Sequence, residues 1–422
     1  MTIVSAPFGS AARAPSAASL SGLDGINFFV AGMQAGFGPY VALYLADQKW
    51  MQQEIGFVLT AGGLAGLLSQ LPGGELVDIT RSKRLLVALG GLVVALSAII
   101  IDFQPTFSFI LIGLILQGIT GGFLGPAIAA ISLGLVGHSS LPERLGRNQR
   151  FASIGGLAAI ALMGLIAYFL SYQAIFVVVA MLSLPMLATL ARIRSTDIHF
   201  GRSCGAPNHH TIDQPARARR VSLWKTPGLV VFAASLFLFQ LANASILPLV
   251  SEDLIYQRAS YSSLIASALI ILPQIVVAVM APWVGRQAQS WGRRPLLLVG
   301  FGALPIRAVL ISWITNPFLL VGVQVLDGVS AAVVGVLTAA VIADITNGSG
   351  RFNLAQGMVG TASGIGASLS TALSGLVAAN FGRTAVFLSI ALVALLTALM
   401  FWLLMPETRP SVTKLSNTSS SG

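Results

Sequence analysis

Residues 84–103 read RLLVALGGLVVALSAIIIDF, a stretch whose only charges, Arg84 and Asp102, stand at its two ends. At ~1.5 Å per helical residue, ~20 such residues cross the ~30 Å hydrocarbon core of a bilayer. A helix apolar on every side over that length is covered by lipid or by other helices, not by water. The rest of the chain repeats the pattern. Only 9% of its 422 residues are charged, against about 25% in soluble proteins. Similar stretches run over 22–45, 55–77, 107–136, 151–170, 172–191, 227–249, 261–284, 295–315, 318–345, 352–379 and 383–405. With 84–103 they make twelve spans, the pattern of an all-α polytopic membrane protein.

The basic residues are sorted by side. Twenty of the 24 Lys and Arg fall in one alternate set of loops and tails. These are Arg13; Arg81, Lys83 and Arg84; Arg144, Arg147 and Arg150; Arg192, Arg194, Arg202, Arg217, Arg219, Arg220 and Lys225; Arg286, Arg293 and Arg294; Arg351; Arg409 and Lys414. The other side holds Lys49, Arg258 and Arg383, and Arg307 alone lies within a span. By the positive-inside rule both termini are cytoplasmic. The net charge of +10 is then a rim beside anionic headgroups, and no nucleic acid is needed to explain it. The first twenty residues lack the apolar centre of a signal peptide, so no cleavage is expected.

The chain divides into a tail (1–21), a six-span bundle (22–191), a basic, proline-containing linker (192–226), a second six-span bundle (227–405) and a tail (406–422). The halves echo each other. Gly74-Glu-Leu-Val-Asp78-Ile-Thr-Arg81-Ser-Lys83-Arg84 follows the second span, and Gly285-Arg-Gln-Ala-Gln289-Ser-Trp-Gly292-Arg293-Arg294 follows the eighth. Leu116-Gln117-Gly118 and Leu326-Asp327-Gly328 match 210 residues apart. Such duplication is how many transporters are built, with the site at mid-membrane between the repeats.

With these motifs the chain resembles the major facilitator superfamily across essentially all its spans. The family's loop signature, Gly-x-x-x-Asp-(Arg/Lys)-x-Gly-(Arg/Lys)-(Arg/Lys), is matched at Gly74, Asp78, Lys83 and Arg84, with Ile79, Arg81 and Ser82 departing from it. The second copy keeps Gly285, Gly292, Arg293 and Arg294, with Gln289 in place of the acid. Asn27-Phe28-Phe29, Gly38-Pro39, Leu304-Pro305-Ile306-Arg307 and Ala343-Asp344-Ile345-Thr346 resemble a largely uncharacterised bacterial group within it.

The resemblance implies two pseudo-symmetric six-helix bundles in a bacterial inner membrane, a monomer by default, and a small-molecule substrate moved by alternating access. It implies that Asp78 faces the free N–H groups at the start of the eleventh span, latching the halves; the alternative is a solvated charge at a helix end. It also implies a cytoplasmic charge network joining Glu407 to Arg286, Arg293, Arg294 and Arg351, with Glu143 and Arg147 or Arg150 as a first-half counterpart. Spans 1, 4, 7 and 10 line the cavity in this fold. That places Asn27 and Gln34, Gln117 and Thr120, Gln240 and Asn243, and Gln324, Asp327 and Thr338 against the substrate, with Phe28, Phe29, Phe237 and Phe239 available for an apolar wall. Four Gly-x-x-x-Gly pairs (62/66, 118/122, 121/125, 360/364) suit close helix packing.

Arg307 precedes the turn at Thr315-Asn316-Pro317 and Asp327 follows it, placing both at ~12–15 Å below one surface. An unpaired charge there costs several kcal/mol, so an ion pair is expected. It either fixes two helices or lets Asp327 carry a coupling proton.

Export by proton antiport is the first functional reading and uptake by proton symport the second. The Gly-Pro-x-x-Gly-Gly element of many exporters is missing from span 5, which has only Gly155-Gly156. No P-loop occurs, and no His lies in a span. His209-His210 is an adjacent pair without further ligands. No enzyme activity, metal or cofactor is expected. A reporter fused after residue 205 or at the C-terminus should read as cytoplasmic, and one near Gln257 as periplasmic. A periplasmic C-terminus would break the two-half organisation.

Overall fold

The computed structural model describes residues 15–206, 223–256 and 262–409. Arg13, His209, His210, Arg217, Arg219, Arg220, Gln257, Arg258 and Lys414 lie outside the described residues. Among those described there are helices and no strands. The first half comprises α1 (Ala17–Ala35), α2 (Gly38–Asp47), α3 (Gln52–Ile79), α4 (Lys83–Phe103), α5 (Phe107–Phe169) and α6 (Tyr172–Ala191). A short α7 (Phe200–Ser203) lies in the linker. The second half comprises α8 (Pro227–Asn243), α9 (Ile246–Tyr256), α10 (Ser262–Ser290), α11 (Arg293–Trp313), α12 (Pro317–Thr346) and α13 (Phe352–Leu404).

Ten segments among the described residues are long and apolar enough to cross a membrane. Two are too long for one crossing. The 63 residues of α5 would extend about 95 Å if straight. Instead Gly137 turns the chain at φ +71°, a value glycine reaches at no steric cost. Asn148 Nδ2 then donates to Ser132 Oγ at 2.8 Å, a bond that a straight helix would stretch to about 24 Å. In α13, Gly382 at φ +81° does the same. Its first residues meet Asp78, and the chain just beyond its last residues returns to Arg293 on the same face. Each of these segments therefore doubles back, which accounts for the difference between ten segments and twelve sequence-derived spans.

The turn at Gly137 also corrects the reading of residues 137–150 as a loop. One glycine makes the reversal, so Arg144, Arg147 and Arg150 stand on a helix. α1 gives way to α2 at Gly36–Phe37, and α8 to α9 at Ala244–Ser245, so the opening helix of each half is interrupted at a matching place.

One buried apolar cluster lies within the first half, and the other is built on the second half but takes in Ala129, Leu133, Leu141 and Leu145 of α5. The halves meet through two helix crossings related by the duplication, α3 on α13 and α5 on α10. Both use glycines. A side chain at Gly74 would overlap the Asn353 carbonyl, and one at Gly357 the Gln70 carbonyl. At the other crossing Gly146 abuts Ala281 and Gly285 abuts Pro142. The first glycine of each loop signature thus brings two backbones into contact across the halves. Within the first half, Gly62, Gly66, Gly118 and Gly122 pack α3 against α5, whereas Gly121 and Gly125 face open space. These crossings lie toward the face carrying most of the basic residues, called here the basic face.

Gly285→Leu should wedge the second crossing apart. With Cys204→Ser and Ala281→Cys as background, thiol reagents applied at the basic face should label residue 281 faster. Unchanged labelling would show that the crossing does not depend on backbone contact.

Candidate functional site

Two adjoining spaces share Gly335, Thr338, Gln356 and Gly360 in their walls: one of about 480 Å³ lined by both halves, and one of about 330 Å³ lined by the second half alone. Among the described residues no charged one lines either. The polar lining is mainly amide: Asn27, Gln34, Gln70, Asn148 and Gln149 from the first half, Gln240, Asn243 and Gln356 from the second. Some are committed to protein partners. Asn27 Nδ2 donates to the Leu23 carbonyl at 2.7 Å, and Gln356 Nε2 to Asn353 Oδ1 at 3.2 Å. Gln34, Gln149 and Gln240 bond to no protein group among the described residues, and Gln70 Oε1 is buried without a partner. Their donors and acceptors are free for a solute.

Asn27, Gln34, Gln240, Asn243 and Thr338 line these spaces. Gln117, Thr120, Gln324 and Asp327 do not. The Thr120 hydroxyl donates to Leu116 of its own helix at 2.8 Å. Gln324 is buried with neither amide atom bonded. Of the four phenylalanines only Phe239 reaches the wall. Gln70, Gln149 and Gln356 were missed because they stand on α3, the second arm of α5 and α13, outside the four helices expected to line the cavity. Their amides within apolar helices were the signal available.

Arg307 is 2% exposed, and its Nη1 donates both to Asp327 Oδ1 and to Asn243 Oδ1, the latter at 2.9 Å. Asn243 therefore touches both the ion pair and the cavity.

At the basic face the Asp78 carboxylate accepts three hydrogen bonds from the start of α13: from Asn353 N at 3.1 Å and Asn353 Nδ2 at 2.8 Å on Oδ1, and from Leu354 N at 2.8 Å on Oδ2. A helix leaves its first four N–H groups without internal partners and carries partial positive charge there, so a carboxylate is well matched to it. In the second copy Gln289 Nε2 instead donates to the Ser139 carbonyl at 3.0 Å, one neutral exposed bond. The basic members of the two signatures act alike. Lys83 Nζ, 1% exposed, donates to the Val77 carbonyl at the end of α3, and Arg293 Nη1 to the Ala288 carbonyl near the end of α10 at 2.8 Å. Both satisfy carbonyls that a helix end leaves open. Arg84 Nε is buried without a partner.

The charge clusters differ from the expected ones. Glu407 accepts from the backbone N–H groups of Arg293 and Arg294 at 2.9 and 3.0 Å, capping α11 beyond Gly292. The Arg293 side chain pairs with Asp344 at 2.9 Å. Among the described residues Arg286 and Arg351 form no ion pair with Glu407. In the first half the acid is Asp24, not Glu143. Asp24 holds Arg144 at 2.5 Å and Arg147 at 2.6 Å, and Arg144 Nε reaches Asn148 Oδ1 at 2.8 Å. Asp24 lies within the first span, and its polar partners come from a helix more than a hundred residues away.

Known proteins resemble this chain over most of its length. The MFS_1-like family model matches residues 20–389. An uncharacterized MFS-type transporter of Mycobacterium tuberculosis is 37% identical over 390 residues, covering 92% of this chain and 93% of the relative. A class B tetracycline resistance protein of Escherichia coli is 29% identical over 136 residues, 32% of this chain and 33% of that protein. Among solved structures, the fucose:proton symporter of E. coli superposes with a TM-score of 0.72 at 14% identity, covering 92% of this chain and 98% of the symporter.

The Asp24 cluster yields a contrast between two substitutions. Arg144 is 5% exposed, so Asp24→Asn leaves a buried cation uncompensated and should cost about 3–5 kcal/mol. The Arg147 side chain is 57% exposed, so Arg147→Ala should cost less than about 1 kcal/mol. Unfolding of the purified protein in detergent would measure both, and equal losses would contradict this ranking.

Proposed function

This chain belongs to the MFS_1-like family of the major facilitator superfamily and is a transporter, and from that premise we propose that it exports a small uncharged organic solute in exchange for protons. The observation that carries the solute class is the cavity wall, which offers free amide donors and acceptors and no charge. An ionic substrate entering it would lose hydration without gaining a counter-charge. A hydrogen-bonding neutral solute would replace water bonds with amide bonds. The halves close on each other at the basic face, through α3 on α13 and α5 on α10. With that face cytoplasmic in the inner membrane, the conformation is outward-facing. One chain supplies residues of both halves to the cavity wall, which supports a monomeric reading.

Coupling is assigned to Asp327 and Arg307. The Asp327 side chain is 26% exposed, and Arg307 is buried beside it. Protonating Asp327 would leave Arg307 bound only to Asn243 Oδ1, one step from the cavity. The likeness to a resistance protein supports export. The structural likeness to a fucose:proton symporter concerns the fold, and uptake by symport is the second reading.

In proteoliposomes holding a trapped pH dye, a library of neutral organic solutes should contain members that drive proton movement against their own gradient. Asp327→Asn should abolish that proton movement and retain exchange of labelled solute across the membrane. Full pH-gradient-driven transport by the variant would remove Asp327 from coupling, and co-directional solute and proton movement would establish symport.

A further inference from the structure

The linker between the halves does not leave the basic face at once. Its residues up to 206 fold back beneath it and bond to both halves. On the first half, Asp197 Oδ2 accepts from Ser16 N at 3.1 Å and from the Ser16 and Ser19 hydroxyls, each at 2.7 Å. These bonds hold the Asp197 carboxyl below its ordinary range. His199 N donates to the Gly134 carbonyl at 3.2 Å. Cys204 Sγ donates to the Asp78 carbonyl at 3.2 Å and lies 3.4 Å from Lys83 Nζ, and the Phe200 ring covers that ammonium at 4.8 Å.

On the second half the contacts are mostly backbone. The Ser203 carbonyl accepts from Asn353 Nδ2 at 3.1 Å. The Cys204 carbonyl accepts from Phe352 N at 3.2 Å, and the Gly205 carbonyl from Gly348 N and Gly350 N at 2.7 and 3.3 Å. The free N–H groups in the first turn of α13 are therefore divided. Phe352 gives its own to the linker, while Asn353 and Leu354 give theirs to Asp78. Neither partner alone satisfies the helix end. Parting the halves at this face requires one of the two sets of linker bonds to break.

We propose that residues 195–206 form a strap that holds the basic face shut, and that its release from the start of α13 is a required step in opening there. The proposal rests on the alternating-access reading above, and it adds a second, separable lock. Cys204 reports on the strap. It is the only cysteine in the chain and is 4% exposed. Burial pushes its thiol above the ordinary range, with Lys83 opposing, so the docked strap should react slowly with thiol reagents.

Two substitutions loosen the strap from opposite ends. Gly205 sits at φ +72° with Phe352 and Thr346 at 3.5 Å from where a Cβ would stand, so Gly205→Val strains the second-half contact. Asp197→Ala removes the first-half anchor at a surface site, and keeps the test available if the valine variant does not fold. In everted membrane vesicles, N-ethylmaleimide should label Cys204 about 5–30-fold faster in Gly205→Val, the ratio for ~1–2 kcal/mol of left-handed strain. In a Cys204→Ser background, spin labels at Arg192→Cys and Ser290→Cys should show longer distances between the halves when either strap variant is added. Faster labelling with an unmoved distance distribution would reduce the strap to a loop lying on the gate and overturn the proposal. Wild-type labelling in both variants would also overturn it. Failure of alternating access itself reads differently: solute and pH would leave the distances unchanged in the parent protein too.

Discussion

A helix that begins at an interface has N–H groups with nothing inside the helix to bind them. The organisation of this transporter depends on that constraint at the start of α13. Asp78, from the opposite half, supplies the acceptors there, and the linker supplies another. For the carboxylate to reach, α3 and α13 must touch backbone to backbone, which Gly74 and Gly357 permit. Lys83 then holds the carbonyls that α3 leaves open at the same place. The contact between the halves at the basic face and the course of the linker both meet at this one helix end.

The duplication makes the asymmetry of the molecule informative. Glycine contacts and buried basic caps are kept in both halves, because each half must cross the other and end its helices. Charge at the crossing is not kept. Asp78 meets a helix start with a carboxylate, whereas Gln289 offers a single exposed amide bond. The second crossing can therefore yield at lower cost than the first. The buried ion pairs are also unequal. Asp24 with Arg144 belongs only to the first half, and Arg307 with Asp327 only to the second, where Asn243 links it to the cavity.

How much could be read before the structure depended on the length scale of the signal. Span positions were legible because the absence of charge is a property of twenty residues at a time. The glycine and acid of the loop signature were legible because their spacing is local. Glu407 was legible as a charged residue near Arg293, but its role as a backbone cap was not, since a ladder of N–H groups has no sequence mark. Gln70, Gln149 and Gln356 escaped because the helix faces that meet are set by three-dimensional packing. The strap escaped for a different reason. A basic, proline-containing linker reads as solvated, and most of its bonds to the second half are made by carbonyls, which every residue possesses.

The direct test of this account is amide hydrogen exchange over residues 352–358, compared between the parent protein and Asp78→Asn in the same membrane. The account predicts slow exchange at Asn353 and Leu354 in the parent. It predicts at least about a tenfold acceleration in the variant, the ratio for loss of ~1.4 kcal/mol, with α4 and α11 unaffected. Equal protection in both proteins would mean that the helix start is held by something other than Asp78, and the lock described here would be wrong.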